Sequence, residues 1–160
     1  MRKKREIIEG AAYHVTSRTN GKIPAFENDF GRKIMLITLQ DAKEKYGFRL
    51  HNFCIMPTHI HLLLTPAGGT NLSRIMQWIK THSAKRWNCI NRSENHFWGE
   101  RFFARQIKDS ADYSFVQNYI DQNPVKAGLV PHAPDWESCG AYYIANGISG
   151  FIDEGDCHFL

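Results

Sequence analysis

Two β-prone runs, residues 48–56 and 59–65, are separated by Pro57 and Thr58 alone. A two-residue connection is too short for a crossover, so the runs are predicted to pair as an antiparallel hairpin. Successive side chains of a strand point to opposite faces of the sheet. One face of the second strand therefore carries Ile60, Leu62 and Leu64, and the other carries His59, His61 and Leu63. The hairpin can bury its first face in a core while its second face presents two imidazoles.

The remaining periodic segments place this hairpin in an α+β fold. The predicted strands are residues 12–18, 48–56, 59–65 and the end of 96–107, and the predicted helices are residues 28–46, 71–87 and 110–122. The order β-α-β-β-α-β is that of the ferredoxin-like fold, an antiparallel sheet whose first and third strands are central. We expect the two main helices on one face of the sheet. The histidines and the additional C-terminal helix are then expected on the other face.

Local signals predict how the helices begin and end. Asn28 is a suitable N-cap for the first helix. The apolar side of that helix is predicted to consist of Phe30, Ile34, Leu36 and Ile37. Asp109 and Asp112 resemble a capping box at the start of the last helix. Pro124 disfavours helical geometry in the residue before it, so the last helix is predicted to end or kink there.

The composition favours one folded domain spanning residues 1–160. The chain is long enough to bury a core, and its 10 Phe and 4 Trp are typical of a folded protein rather than a disordered one. The core is predicted at residues 10–145, with a basic arm at 1–10 and a tail without clear periodicity at 147–160. The formal net charge of +4 is compatible with a nucleic-acid partner.

Cysteine spacing and hydropathy argue against several other classes of protein. The four cysteines lie far apart without a C-x-x-C pair, which disfavours a structural zinc domain and a disulfide scaffold. The basic start leads into Glu6 and Glu9 rather than into the apolar segment of a signal peptide. No stretch reaches the apolar length of a membrane span. We expect a cytoplasmic protein with reduced thiols and no membrane association.

The pair His59 and His61 is a candidate metal site. The two residues share a strand face and lie roughly 6–7 Å apart along the backbone, so their imidazoles can converge on one ion. Two histidines at an ordinary polar strand end fit the same pattern. His14, on the first strand, fits an ordinary strand residue that could line the same face.

Tyr119 and Asn123 are four residues apart on the last predicted helix. Their side chains therefore lie on one helix face, one turn from each other. By itself this pattern is more typical of a tyrosine at the rim of a core and of an asparagine at a helix end than of a functional site.

Two longer blocks resemble a known family. Residues 56–64, MPTHIHLLL, resemble the HUH motif (His, hydrophobic residue, His) of the IS200/IS605-like Y1 transposases. Residues 119–130, YIDQNPVKAGLV, resemble the block that carries the nucleophilic tyrosine in the REP-associated branch of that family. Residues 13–18, YHVTSR, and residues 135–138, DWES, also resemble that branch. The similarity covers about residues 10–145.

The resemblance implies a bacterial, nucleoid-associated enzyme that nicks and transfers single-stranded or hairpin DNA, in particular hairpins of repetitive extragenic palindromes (REP), and that acts as a monomer. Tyr119 would be the nucleophile and would form a 5′-phosphotyrosine, leaving a free 3′ hydroxyl. His59 and His61 would hold a divalent metal ion, either Mg²⁺ or Mn²⁺. The third ligand of the family lies one helical turn after the tyrosine and is often Gln. That position is Asn123 here, whose side chain is shorter.

Basic and aromatic residues supply candidate contacts to DNA. The candidate phosphate contacts are Arg74, Lys80, Lys85, Arg86, Arg101, Arg105, Lys108 and Lys126. The candidate stacking residues are Phe97, Trp98, Phe102 and Phe103, although most of these are expected to be core residues.

Two other functions fit the same sequence. A domesticated transposase could have kept nucleic-acid binding without cleavage, although His59, His61 and Tyr119 are all present. An insertion-sequence transposase of this type would act as a dimer. An RNA-binding module of similar fold is disfavoured, because no central strand carries an aromatic run of the RNP1 type.

Overall fold

The structure is a computed structural model that describes residues 7–154. Its elements in chain order are β1 (Tyr13–Arg18), α1 (Asp29–Tyr46), β2 (Arg49–Met56), β3 (His59–Thr65), α2 (Leu72–Asn91), β4 (Phe103–Gln106), α3 (Ser110–Lys126) and α4 (Gly140–Ala145). The sheet order is β2-β3-β1-β4, and all neighbouring strands are antiparallel. The predicted ferredoxin-like α+β order, with β1 and β3 central, is confirmed. The cationic residues 2–5 of the predicted arm lie outside the described residues.

The hairpin of β2 and β3 forms as its two-residue connection predicts. Met56 pairs with His59 directly across the turn. On the other side of β3, His61 lies opposite Thr16 of β1, and Leu63 lies opposite His14. This register brings the alternate residues of both central strands onto one shared face.

Two apolar cores lie on the two faces of the sheet. The larger core packs α1 and α2 against the face that carries Ile60, Leu62 and Leu64. The smaller core packs α3 against the other face, where Leu63 contacts the region of Val116 and Ile120. The predicted distribution of helices is therefore confirmed, because the histidine face is the one that α3 covers.

The apolar side predicted for α1 was partly wrong. Ile34 is buried, but Phe30 and Ile37 are about half exposed. The buried stripe follows positions 31, 34, 35, 38, 39 and 42, in which Gly31, Thr38 and Ala42 permit close packing. The small residues were not recognised as core positions because they carry little hydrophobic signal.

Two helices extend beyond their predicted ends. Helix α2 continues to Asn91, because the polar residues after position 87 include no glycine or proline, and Arg92 adopts a left-handed conformation with φ of 49°. Helix α3 continues through the buried Pro124 to Lys126. It ends where Gly128, with φ of 71°, allows a Schellman motif. In that motif the Leu129 N–H donates to the Pro124 carbonyl at 3.0 Å. Pro124 has no N–H to donate within the helix, but its carbonyl accepts this closing hydrogen bond.

The capping box predicted at the start of α3 forms only in half. The Asp112 N–H donates to the Asp109 carboxylate at 2.8 Å, as an N-cap requires. The Asp112 carboxylate instead accepts from the Lys108 N–H and from Arg105 on β4. Asp112 therefore ties the start of α3 to the edge of the sheet.

The C-terminal segment packs along β2, an edge strand of the sheet. The Trp136 indole N–H donates to the Ile55 carbonyl at 3.0 Å. Beyond α4, the Asp153 N–H donates to the Leu50 carbonyl at 2.8 Å, and the Asp153 carboxylate pairs with Lys43. Part of the tail is thus ordered against the fold. Among residues 7–154 no helix combines the length and the apolar character that a membrane span needs.

Candidate active site

A cavity of about 650 Å³ opens on the sheet face that α3 covers. Its lining residues are His14, Thr16, Arg18, His59, His61, Phe103, Arg105, Phe115, Val116, Tyr119 and Asn123. The cavity thus brings together His59, His61, Tyr119 and Asn123, the four residues on which the predicted chemistry depends. The alternation of β3 and the turn of α3 place these four side chains, since β3 supplies the histidines and α3 the other two.

His61 is the most buried of the polar residues in this cavity. Its ring lies 5.0 Å from the His59 ring, centroid to centroid. Its Nδ1 lies 3.1 Å from His14 Nε2 and 3.4 Å from Thr16 Oγ1. Its Nε2 is buried but has no hydrogen-bond partner. A buried nitrogen without a partner carries an energetic cost, which a ligand in the cavity would relieve.

Both histidines of the motif are neutral at physiological pH. Burial, with smaller effects of the neighbouring His59, His14 and Arg18, lowers the pKa of His61 to about 3, while a hydrogen bond with the Asn123 side chain acts in the opposite direction. Burial, with a smaller effect of Arg18, lowers the pKa of His59 to about 4. A neutral imidazole keeps the lone pair that metal coordination requires.

Tyr119, on α3, lies next to the rings of His61 and His14. Its ring lies 5.7 Å from the His61 ring and 5.8 Å from the His14 ring, and 38% of the residue is exposed. The ammonium of Lys126, two turns further along α3, lies 5.7 Å from the centre of the same ring. The tyrosine is therefore accessible from the cavity and lies next to a positive charge.

The donor set of the cavity fits a hard or borderline divalent cation. Asn123 uses its Nδ2 to donate to the Tyr119 carbonyl at 2.9 Å, which leaves Oδ1 as its coordinating atom. Two imidazoles and one amide oxygen leave further positions open for phosphate oxygens. Within residues 7–154 no three His, Cys, Asp or Glu side chains form a metal-binding group. An ion held by the two histidines would therefore need the amide or another oxygen as its third ligand.

The predicted cationic contacts on α2 lie away from this cavity. Arg74, Lys80, Lys85 and Arg86 belong to the helix that covers the opposite face of the sheet. Arg86 joins α2 to α1, since it bonds to Asp41 at 2.5 Å and to Thr38 at 3.0 Å. Lys80 donates to the Glu100 carbonyl at 2.9 Å. These four residues are not neighbours of Tyr119.

The other predicted cations lie closer to Tyr119 or to the sheet edge. Arg105 lines the main cavity and makes a bidentate ion pair with Asp112, at 2.8 Å and 3.0 Å. Lys126 contacts the Tyr119 ring, and Lys108 is exposed just before α3. Arg101 lines a second cavity of about 600 Å³, which shares Thr16, Arg18 and Phe103 with the first.

Of the aromatic candidates, Phe97, Trp98 and Phe102 are buried in the larger core. Phe103 is 61% exposed and lies between the two cavities. The sequence pattern did not single out Phe115, which is 67% exposed, nor Thr16 and Arg18. The last two could have been found from the alternation of β1, because they share a face with His14.

The comparisons with known proteins identify the family of this chain. The model of the family described as "Transposase IS200 like" matches residues 8–123, a span that contains both histidines and Tyr119. The chain therefore belongs to this family of transposases. A protein of Haemophilus influenzae assigned as a REP-associated tyrosine transposase is 28% identical over 143 residues, which are 83% of this chain and 81% of the relative. A REP-associated tyrosine transposase of Escherichia coli is 29% identical over 102 residues, 59% of this chain and 55% of the relative.

Solved structures share the fold. A REP-associated tyrosine transposase bound to a REP hairpin matches with a TM-score of 0.77 at 22% identity, and the match covers 100% of this chain and 94% of that one. A protein of Deinococcus radiodurans described as a transposase matches with a TM-score of 0.54 at 20% identity, covering 76% of this chain and 97% of that one. The fold and the family resemblance predicted from the sequence are thus confirmed.

Proposed function

We propose that this transposase is a metal-dependent endonuclease and strand transferase that acts on hairpin-forming, single-stranded DNA through a covalent bond to Tyr119. The observation that carries this proposal is that Tyr119, His59, His61 and Asn123 all line one cavity. The relative whose structure contains a REP hairpin supports a hairpin as the substrate class. The proposed location is accordingly the nucleoid of the bacterial cytoplasm.

His59, His61 and Asn123 are the proposed ligands of Mg²⁺ or Mn²⁺. The buried Nε2 of His61, the low imidazole pKa values and the interaction of the Asn123 side chain with His61 support this assignment. When bound, a divalent cation would neutralise charge on the scissile phosphate and on the leaving oxygen.

Tyr119 is the proposed nucleophile. Its phenol oxygen forms a bond to phosphorus as the bond between phosphorus and the 3′ oxygen breaks. The phenol proton is released to solvent, and the departing oxygen takes up a proton to become a 3′ hydroxyl. Attack by a 3′ hydroxyl on the phosphotyrosine reverses these bond changes and rejoins DNA without ATP. Lys126 places a positive charge over the Tyr119 ring, 5.7 Å from its centre, where it would favour the approach of an anionic phosphate to the tyrosine.

The two joined cavities define the proposed path of the single strand. Phe103 and Phe115 expose rings on which bases can stack. Arg18 and Arg101 place cations in the second cavity, beyond Phe103, where phosphates of the same strand would lie. The cations of α2 lie on the opposite face, so any contact they make would be to a distant part of the hairpin.

A monomer is the proposed active form. The candidate nucleophile and the candidate ligands come from β3 and α3 of one chain, so no residue of a second copy is needed to complete the cavity. If the monomer is the active form, the cleavage activity per molecule should stay constant when the protein is diluted below the concentrations at which it could dimerise.

A covalent-adduct assay tests the proposed function. The protein is incubated with end-labelled hairpin DNA taken from the flanks of its own gene, with Mg²⁺, Mn²⁺ or a chelator, and is then run on a denaturing gel. We expect a metal-dependent protein–DNA band in the wild type and in Tyr46→Phe, a matched variant on the other side of the sheet. Tyr119→Phe is expected to form no adduct and to bind the hairpin normally. Hairpin binding without an adduct under every metal condition would favour the non-catalytic function instead.

A further inference from the structure

His14 makes a direct contact with the proposed metal ligand His61. The two residues lie on neighbouring strands, and their rings are stacked with centroids 5.3 Å apart and an interplanar angle of 21°. His14 Nε2 lies 3.1 Å from His61 Nδ1. Both side chains are buried, and both contact the ring of Tyr119. The direction of a hydrogen bond between two imidazoles depends on which nitrogen of each ring carries the proton.

The proton positions of this pair decide whether His61 can bind a metal ion. A neutral imidazole has one N–H and one lone pair. If His14 Nε2 donates to His61 Nδ1, then His61 carries its proton on Nε2 and presents an N–H to the cavity. If His61 Nδ1 donates to His14 Nε2, then the lone pair of His61 Nε2 faces the cavity. Only the second arrangement permits coordination.

We propose that His14 is a positioning residue that accepts the hydrogen bond of His61 Nδ1 and thereby holds the lone pair of His61 Nε2 towards the cavity. Metal-binding histidines usually donate their second N–H to a carboxylate or a carbonyl group. In this protein the acceptor would be His14, as a neutral imidazole that carries its own proton on Nδ1. The proposal rests on the metal site of the proposed function, but it concerns a residue outside the ligand set.

The surroundings of His61 Nδ1 support His14 as the main acceptor. The Thr16 hydroxyl is the other group near this nitrogen, and its distance of 3.4 Å is longer than the 3.1 Å to His14. Thr16 can accept weakly if His14 is removed, so His61 should lose preference for the binding tautomer rather than lose the ability to bind. Stacking against His14 also restricts rotation of the His61 ring.

The test measures Mn²⁺ affinity and histidine tautomers in the full-length protein. His14→Phe keeps a stacking ring but removes the acceptor, and His14→Gln restores an acceptor oxygen. We expect Mn²⁺ binding, measured by calorimetry, to weaken about 10- to 100-fold in His14→Phe and to recover most of this loss in His14→Gln. His51→Phe is the matched control, because His51 is a buried histidine of the same sheet that does not line the cavity. Hairpin binding without metal should be unchanged in the control His51→Phe.

Nitrogen NMR of the imidazoles supplies a measurement that needs no folded His14 variant. In the metal-free wild type, the His61 signals, identified by their loss in His61→Gln, should show the proton on Nδ1 and none on Nε2. A proton on Nε2 would overturn the proposal, as would unchanged Mn²⁺ affinity in His14→Phe. If the wild type binds no Mn²⁺ at all, the proposed metal site fails and the role of His14 fails with it. Normal wild-type binding with an unaffected His14 variant would remove the role of His14 alone.

Discussion

Asn123 donates a hydrogen bond from its side chain to the carbonyl oxygen of Tyr119, 2.9 Å away and one helical turn earlier. This bond fixes the amide so that its oxygen, rather than its nitrogen, is available to the cavity. Asn123→Ala should therefore weaken Mn²⁺ binding by about tenfold or more. Asn123→Gln should retain most of the affinity, because a longer side chain still offers an amide oxygen. Calorimetry with Mn²⁺ measures both variants.

The matched control for this prediction is Asn118→Ala. Asn118 is an exposed asparagine on the same helix, and it does not line the cavity. Equal Mn²⁺ affinities for Asn123→Ala and Asn118→Ala would exclude Asn123 from the ligand set. In that case the third ligand would be sought among the hydroxyl groups of the cavity.

Exposed aromatic rings next to Tyr119 should contribute to DNA binding. Phe103→Ala and Phe115→Ala are each expected to weaken binding of a single-stranded flank by about 5- to 150-fold, since stacking of one base contributes about 1–3 kcal/mol. Phe30→Ala is the control, because Phe30 is 50% exposed on α1, on the opposite face of the sheet. Fluorescence anisotropy with labelled hairpins measures the three affinities. A loss in Phe30→Ala as large as in the others would place the strand elsewhere.

The two groups of cations should differ in their contribution to the salt dependence of binding. Arg18 lines both cavities, whereas Arg74 lies on α2 behind the sheet. Arg18→Gln should lower the slope of log affinity against log salt by about one, as expected for the loss of one phosphate contact. Arg74→Gln should leave the slope unchanged. The opposite result would restore α2 as the main DNA-binding helix.

Regular alternation explains why the strand face of the site could be predicted from the sequence. The spacing of two residues places His59 and His61 on one face of β3, and the register set by the turn at Pro57 and Thr58 decides which face of the sheet that is. The spacing of Tyr119 and Asn123 places both on one face of α3 in the same way. Periodicity did not predict the roles of these residues, because it does not distinguish a metal ligand from an ordinary polar residue. The family resemblance supplied those roles.

The parts of the site that could not be predicted depend on contacts between distant segments. His14 contacts His61 across 47 residues of sequence, and only the pairing of β1 with β3 reveals this contact. Phe115 became a candidate because of its exposure in the fold rather than because of its residue type. The position of α2 behind the sheet likewise separates its cations from Tyr119, and the sequence of a basic helix face does not show whether that face lies next to the site.

Gly140, the first residue of α4, should tolerate no side chain. A Cβ built on it would lie 2.0 Å from Asn52 Oδ1. Asn52 cannot move freely, because it accepts from the Phe53 N–H and donates to Asp121, both at 2.8 Å. Gly140→Ala is therefore expected to lower the free energy of unfolding by about 1–3 kcal/mol. Denaturation with urea measures this loss.

A double variant shows whether this contact is the cause. Asn52→Ala removes the obstructing side chain, so Gly140→Ala should cost little when it is added to Asn52→Ala. Additive losses in the double variant would mean that Gly140 acts through its backbone conformation instead. The outcome also tests how α4 is held against β2.

His51 should make the stability of the protein depend on pH. Burial lowers the pKa of His51 to about 4, with Arg49 and Lys43 acting in the same direction and Asp153 opposing them. The unfolded chain, with a pKa near 6.5, binds the proton more tightly, so this contribution is fully present above pH 6.5 and is lost as the pH falls towards 4. The loss for this group should approach roughly 1.4 kcal/mol per pH unit. His51→Gln, which can still bond to the Thr65 hydroxyl, should reduce the slope of unfolding free energy between pH 6.5 and 4.5. His96→Gln, at an exposed position before β4, is the control, and an equal change of slope in both variants would mean that burial of His51 is not the cause.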